Sequence, residues 1–165
     1  TWEQLLVTPM RPLQIVIGKA LPAIPIAYAV FLMMLGVSLI GFGIPLRGSW
    51  PLLLAVVLLY ILVELGVGVL ISALSKTQIQ AFLLVVVLMM IEFIFSGYIF
   101  AVDTMPAGIQ VLANFVPMNH GLNMVRSILL RGVGFAGVWT DVLALVGLGA
   151  GIMTLATLVL RSKLE

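Results

Sequence analysis

The sequence predicts an all-helical membrane protein with four transmembrane spans, on the evidence of its composition and of four long apolar runs. Of its 165 residues, 63% are hydrophobic and only 8% are charged, and the mean hydropathy is +1.31. Soluble domains carry about 25% charged residues, because a folded chain needs polar groups to cover its surface in water. This composition excludes a soluble enzyme, a disordered tail and a nucleic-acid-binding protein. Membrane lipid is the expected surroundings.

The few ionisable residues offer no metal or thiol chemistry. The formal net charge of +2 reflects scarce charges rather than a basic patch, so no nucleic-acid partner is expected. The sequence has no cysteine and a single histidine, which excludes disulfides, thiolate metal sites and multi-histidine metal sites. We therefore expect no cofactor and no metal ion on this chain.

The four spans are runs long enough to cross a bilayer, which takes about 20 mostly apolar residues. The first and fourth runs are uncharged, the second is interrupted only by Glu64, and the third only by Glu92. Short turns rich in Gly and Pro or in polar residues follow the first two runs and make neighbouring spans antiparallel. The predicted spans are residues 20–41, 51–73, 79–97 and 142–160.

The long segment at residues 98–141 is too polar for a comfortable span and too apolar for a free loop. We expect it to form one or two short helices that re-enter the membrane interface and pack on protein, since irregular backbone is not tolerated against lipid. Thr104 is the expected cap of a first helix with Pro106 in its first turn. Pro117 ends that helix and begins a second, which stops near Gly132.

Residues 1–19 predict a short amphipathic helix and a connector on the cytoplasmic side. Thr1 is a suitable cap and Pro9 a suitable stop for this helix. Composition leaves two interpretations open, an interfacial anchor or a docking element for a cytoplasmic partner. The chain opens on polar residues, without an initiating Met or a cleavable signal peptide, and we interpret it as a piece of a longer protein.

The basic residues predict cytoplasmic ends, because short cytoplasmic flanks carry an excess of Lys and Arg. With four spans, both chain ends lie on one side of the membrane. That side holds five basic residues, Arg11, Lys19, Lys76, Arg161 and Lys163, and the other side holds three, Arg47, Arg126 and Arg131.

Four different sequence motifs follow one another along the chain. The first is T-x-E-x-L-L-V-T-P…P-x-x-I-x-x-G-K at residues 1–19. The others are residues 68–72 with 76–81, residues 96–100 with Met105-Pro106 and Ile109-Gln110, and Pro117, His120 and Arg126 with residues 129–132. In these motifs the whole chain resembles the permeases of bacterial type-2 ABC exporters, above all the multidrug-efflux permeases of Gram-negative inner membranes. It corresponds to their C-terminal half, which holds helices three to six.

The resemblance implies a multi-pass permease of the bacterial inner membrane that forms a homodimer or heterodimer and binds two ABC ATPase subunits or domains. ATP and Mg are then expected on the partner ATPase. The chain itself lacks a Gly-x-x-x-x-Gly-Lys-Ser/Thr phosphate loop and is expected to be a transport subunit rather than an enzyme. The coupling helix of such permeases, which seats on the ATPase, corresponds to Glu3, Gln4, Leu5, Leu6, Val7 and Thr8.

Two acids inside the spans are the candidate residues of a substrate route. A carboxyl group in the membrane is costly, so we interpret Glu64 and Glu92 as candidate functional residues. Met89 and Phe93 would add an adaptable apolar wall. Structural acids that are protonated or bonded to a neighbouring helix are the alternative. Helical rise places the two acids roughly 10 Å apart in depth, so we do not expect them to form a pair.

Other polar and small residues have structural interpretations. Asp103, Arg126 and Arg131 are expected to form ion pairs around the re-entrant segment. A serine-protease arrangement of His120 with Ser96 or Asp103 finds no support in a nucleophile motif. Gly147 and Gly151 form a Gly-x-x-x-Gly pair, which allows close helix packing; we expect this inside one subunit rather than at a dimer face.

Three functional classes follow from the sequence. The first is the permease of an ATP-driven exporter for a hydrophobic or amphipathic, drug-like or lipid-like substrate. The alternative is a membrane scaffold that recruits a cytoplasmic partner through its N-terminal helix. An intramembrane enzyme is disfavoured, because no polar groups converge at one depth.

Overall fold

A computed structural model describes Gly18 and residues 21–162, and its helices confirm the predicted fold class. Four helices are long and apolar enough to cross a membrane, and no strand occurs in the described part of the chain. The candidate spans are Ala23–Gly41, Trp50–Leu74, Gln78–Phe95 and Trp139–Val159. Their ends lie within three residues of the predicted ones. The long helices are α1 (Ala23–Gly36), α2 (Trp50–Leu74), α3 (Gln78–Phe95) and α6 (Trp139–Ser162).

Two short helices lie between α3 and α6, namely α4 (Ala107–Ala113) and α5 (Pro117–Arg126). Their depth in the membrane stays a prediction. The expectation that Thr104 caps the first of them is wrong, because its hydroxyl donates to the carbonyl of Ala101 at 2.7 Å. Pro106 instead precedes the first residue of α4. A proline there sacrifices no helical hydrogen bond, since the first N–H groups of a helix have no partner within it.

Helix α2 is the centre of the packed structure. It makes the most extensive contacts, first with α6 and then with α5. Residues of these three helices and of the turn after α5 bury the apolar core, with Leu53, Val56, Val57, Ile61 and Val63 from α2 and Met124, Ile128 and Leu145 from its neighbours. By contrast, α1 and α3 leave most of their large apolar side chains exposed. Apolar faces of that extent are stable against lipid or protein and not against water.

A π-helical turn after α5 fastens the loop that joins the first two spans. The turn covers Ser127–Arg131, and the backbone N–H of Arg47 donates to the carbonyl of Leu129 at 3.1 Å. The wider π turn breaks the regular α-helical hydrogen bonding, which leaves carbonyls for outside donors. Gly132 ends the turn with φ +67°, a left-handed conformation that costs glycine little. The loop at residues 42–49 is thereby held to the segment that precedes the fourth span.

Within the described chain, the close helix contact on α6 is made at Gly149, and none is found at Gly147 and Gly151. A Cβ at either of those two positions would meet nothing within 4 Å, whereas a Cβ at Gly149 would lie 3.0 Å from Cγ2 of Val63. The reason is helical register. Leu145 and Gly149 are four residues apart and face α2, whereas positions 147 and 151 lie on another face of α6.

Gly121 on α5 allows a second close approach and generates a testable prediction. A Cβ at this position would lie 2.8 Å from Cδ2 of Tyr60, in the middle of the ring rather than at a flexible end. We expect Gly121→Ala to lower the free energy of unfolding by about 1–3 kcal/mol, the usual cost of overpacking. Thermal unfolding of the purified protein in detergent measures the change.

Gly68→Ala is the matched control for this prediction. Gly68 also lies inside a helix, but a Cβ there would meet nothing within 4 Å. The substitution is expected to leave stability unchanged or to raise it, since Ala favours helix over Gly. Equal effects of the two substitutions would contradict the close packing of α5 on Tyr60.

Candidate functional site

Two buried carboxyl groups on neighbouring spans are the most unusual chemical feature of the described residues. Glu64 lies on α2 and Glu92 on α3, and one oxygen of each is buried without a hydrogen-bond partner in the described part of the chain. Glu92 is only 8% exposed. Buried polar atoms without a partner are costly and uncommon in native proteins, so each of these two needs a physical explanation.

The two acids form one electrostatic group with Tyr60. Glu64 and Glu92 are close enough to act on each other, and both act on Tyr60. Tyr60 lies one helical turn before Glu64, and their side chains interact directly. The sequence draws attention to the acids because a charge stands out in an apolar run. Tyr60 went unpredicted, although its spacing of four residues from Glu64 is a signal for a shared helix face.

The helix bounds of the structure give a smaller helical rise between the acids than the roughly 10 Å predicted, and their depths in the membrane stay a prediction. Glu64 lies ten residues before the end of α2 at Leu74, and Glu92 lies fourteen residues after the start of α3 at Gln78. The tight turn at residues 75–77 sets both helix ends at nearly the same level. The difference is then the rise of four residues, about 6 Å. Among the described residues, no hydrogen bond joins the two carboxyl groups.

Tyr60 also lines an apolar cleft of about 230 Å³. Its walls come from α1, α2 and α5, and its lining residues are Phe31, Val56, Val57, Tyr60, Met118, Gly121, Leu122 and Val125. The hydroxyl of Tyr60 is the only side-chain polar group in this lining. A cleft with these walls suits an apolar or amphipathic molecule, with Glu64 one helical turn from its tyrosine.

Met89 and Phe93 lie on the outer surface of α3 in the described chain. Their side chains are 62% and 41% exposed, in contrast with the buried Glu92 on the same helix. The ring of Phe93 packs against that of Tyr98 with centroids 5.1 Å apart. Of the four predicted route residues, the structure groups Glu64 and Glu92 and places the other two on a different surface.

His120 is the centre of a polar cluster that the sequence did not predict. Its Nδ1 lies 2.7 Å from Oδ1 of Asp141, and its Nε2 lies 2.9 Å from the carbonyl oxygen of Asn114. The hydrogen bond to Asp141 raises the pKa of His120 above its ordinary value, and burial of the ring opposes part of that rise. The partners lie 21 residues apart on different helices, so local sequence carries no signal for the pair.

The predicted ion pairs of Asp103, Arg126 and Arg131 do not form among the described residues, where His120 and Asp141 make the sole ion pair. Arg126 instead donates to the carbonyl of Gly97 at 3.3 Å. Asp103 contributes a backbone carbonyl, which accepts from the side chain of Gln110. A backbone carbonyl at a chain turn is an equally good acceptor for an arginine, and sequence does not reveal where one is free.

Two predictions remain, a disfavoured serine–histidine arrangement and the ATPase-coupling residues. Ser96 donates its hydroxyl to the carbonyl of Phe93, and His120 is held by Asp141, so the described residues contain no serine–histidine arrangement. The predicted ATPase-coupling residues, Glu3, Gln4, Leu5, Leu6, Val7 and Thr8, lie outside the described residues.

Four apolar spans around a pair of buried acids define a polytopic helical membrane protein, and comparison with known sequences identifies its family. The family model for the ABC-2 type transporter matches residues 1–130. The chain therefore belongs to the ABC-2 type transporter family, as its motifs indicate.

Its relatives include permeases and larger transporters. The chain is 35% identical over 163 residues to the probable multidrug ABC transporter permease YbhR of Escherichia coli, a match that covers 99% of this chain and 44% of the relative. It is 30% identical over 169 residues to the inner membrane transport permease YhhJ of E. coli, with the same coverage. ABC transporter G family member 20 of Dictyostelium discoideum is 26% identical over 156 residues, which cover 93% of this chain and 21% of the relative.

The chain thus spans less than half the length of the bacterial relatives it matches. No solved structure matches it.

Proposed function

We propose that this chain is the C-terminal half of the membrane-spanning permease of an ATP-driven exporter. Family membership together with 35% identity to a probable multidrug permease over nearly the whole chain carries the proposal. The substrate is a hydrophobic or amphipathic compound, which the permease moves outwards across a bacterial inner membrane. A separate ABC ATPase hydrolyses ATP, and the permease works as a dimer.

The geometry of the described residues supports this proposal. An apolar cleft whose tyrosine lies one helical turn from Glu64 can receive a molecule with an apolar body and a polar or cationic group. The exposed apolar faces of α1 and α3 offer wide surfaces to lipid, to a second copy or to other parts of the permease. An intramembrane enzyme is the less favoured function, because it would need several polar groups that converge on one reacting atom.

The first prediction tests the coupling of residues 3–8 to an ATPase. Leu6→Asp places a charge on the apolar face of the helix predicted there, and a charge is costly in a protein interface. We expect the variant to insert into the membrane normally but to lose substrate-stimulated ATP hydrolysis, measured on the permease–ATPase complex in proteoliposomes. Leu6→Met conserves volume and apolarity and should retain hydrolysis.

Unchanged hydrolysis and transport in a correctly inserted Leu6→Asp variant would refute the coupling role. If the protein that co-purifies through this segment lacks a nucleotide phosphate loop, the scaffold alternative takes the place of the exporter. The quickest support for the exporter proposal would be the finding that an ATPase is encoded beside this reading frame.

The second prediction is that Glu64 selects for positive charge in the substrate. Gln conserves the shape of Glu and removes its charge. We expect Glu64→Gln to reduce export of a cationic compound about tenfold, the equivalent of about 1.4 kcal/mol, and to spare a neutral analogue. Export of the matched pair of compounds from inverted vesicles measures the selectivity.

Glu92→Gln is the companion variant for this prediction, because Glu92 is the other acid of the group. If export of both compounds falls to the same extent, the substituted acid acts in helix packing rather than in charge selection. If neither compound is affected by either variant, charge selection at these acids is refuted.

The third prediction concerns orientation, which rests on the distribution of basic residues. A single cysteine introduced by Ser75→Cys is expected to be shielded from an impermeant thiol reagent in intact cells, as are those from Thr8→Cys and Ser162→Cys. Cysteines from Ser49→Cys and Gly134→Cys are expected to react, since both positions are exposed on the opposite side. Labelling of the Ser75→Cys variant in intact cells would reverse the topology.

A further inference from the structure

The hydrogen bonds of His120 specify its protonation state. Its two ring nitrogens face two acceptors, a carboxylate oxygen of Asp141 at 2.7 Å and the backbone carbonyl of Asn114 at 2.9 Å. A carbonyl oxygen and an ionised carboxylate can each accept a hydrogen bond, and neither can donate one. Both ring nitrogens of His120 must therefore donate. Only the charged imidazolium carries a proton on each nitrogen.

The alternative is a neutral ring that accepts a proton from a neutral Asp141. An aspartic acid is a much stronger acid than an imidazolium, so the proton they share stays on the ring. The exposure of the two side chains favours the same distribution. Asp141 is 22% exposed and retains some contact with its surroundings, and the ring of His120 is 10% exposed.

The ring joins three helices at one point. His120 itself lies on α5, Asp141 lies in the first turn of α6, and Asn114 is the residue that ends α4. The carbonyls at a helix end have no partner inside the helix, so the one at Asn114 is available to the ring. A second contact, from the side chain of Asn119 to the carbonyl of Ala113 at 3.2 Å, holds α4 to α5 and carries no charge. The attachment to α6 therefore includes a bond whose strength depends on one proton.

Several titratable groups lie on the elements that pack against α5, but Asp141 is the one in the described part of the chain that acts on the proton of His120. Helix α5 packs against α2, α3, α6 and the π turn that follows it. Among the described residues, Asp141 is the charged group that acts on His120. The remaining titratable or charged groups on these elements are Tyr60 and Glu64 on α2, Glu92 on α3, Arg131 in the π turn, Arg126 on α5 itself and Arg161, which lies at the other end of α6 from Asp141.

We propose that His120 is a proton-dependent clamp, which ties α4 and α5 to the start of the fourth span while it is charged and loses one of its two attachments when it loses a proton. A neutral ring presents a lone pair to one of its two acceptors at less than 3 Å, and the resulting repulsion breaks one of the two bonds. The proposal rests on the contacts of His120 alone and holds whatever the permease transports.

The direction of the pH effect follows from the hydrogen bonds. Because Asp141 raises the pKa of His120 in the folded chain, the clamp contributes fully below the ordinary imidazole value of 6.5. Its contribution is lost as the pH rises through the higher folded value. Alkaline conditions should therefore loosen the segment.

Nitrogen NMR of the full-length permease, labelled at histidine, tests the charge state. The signals of His120 are assigned by their absence in His120→Gln or by their shift in Asp141→Asn. At about pH 7 we expect both ring nitrogens to be protonated, because each of them faces a hydrogen-bond acceptor. A neutral ring at that pH would overturn the proposal.

Thermal unfolding in detergent tests the clamp itself. Between about pH 6 and about pH 9, we expect the unfolding temperature of the unsubstituted protein to fall by about 2–4 °C more than that of Asp141→Asn. Hydrogen exchange localises the effect, with protection lost at alkaline pH across residues 107–126 and retained in α2. Asp103→Asn is the matched control, because it removes an acid from the same segment without touching His120, and it should behave like the unsubstituted protein.

Two results would refute the clamp. One is an alkaline loss of stability in Asp141→Asn as large as that of the unsubstituted protein. The other is unchanged exchange protection across residues 107–126 between the two pH values. If His120→Gln fails to fold, the NMR of the unsubstituted protein and the Asp141→Asn comparison still decide the question.

Discussion

The hydrocarbon core of a membrane offers no partner to a backbone N–H or carbonyl group, and this constraint governs the fold. The described spans are accordingly continuous helices, with a π turn where α1 ends and a left-handed glycine, Gly97, where α3 ends. Hydroxyl groups inside the spans obey the same rule. Thr154 and Thr157 both donate to carbonyls four residues earlier in α6, which satisfies them without a neighbour. Against this background, the unpartnered oxygens of Glu64 and Glu92 stand out.

The constraint also explains which parts of the fold the sequence can predict. Bilayer thickness sets the length of a span, so four apolar runs in the sequence suffice to predict four helices with nearly correct ends. The face that each helix turns to its neighbours is a different matter, because every face is apolar. The predicted close contact at Gly147 and Gly151 is found instead at Gly149, and no hydropathy pattern distinguishes these three glycines.

The candidate site divides in the same way. An acid in an apolar run is visible without a structure, so Glu64 and Glu92 are predictable, whereas their grouping with Tyr60 depends on the packing of α2 against α3. The pairing of His120 with Asp141 is a purely tertiary fact. Both residues are polar members of a mixed segment, and they lie 21 residues apart, so no local pattern pairs them. Functional residues with a partner far away in sequence are the ones that local patterns miss.

The position of α5 connects the clamp to the cleft. His120 and Gly121 are consecutive, so they project from the helix about 100° apart, one towards Asp141 on α6 and the other against the ring of Tyr60 on α2. Gly121, Leu122 and Val125 form one wall of the apolar cleft. A helix of ten residues moves as a unit, so whatever fixes His120 against α6 also sets the distance between that wall and Tyr60. Under the proposed clamp, the charge on His120 would therefore act through α5 on the width of the cleft that Tyr60 lines.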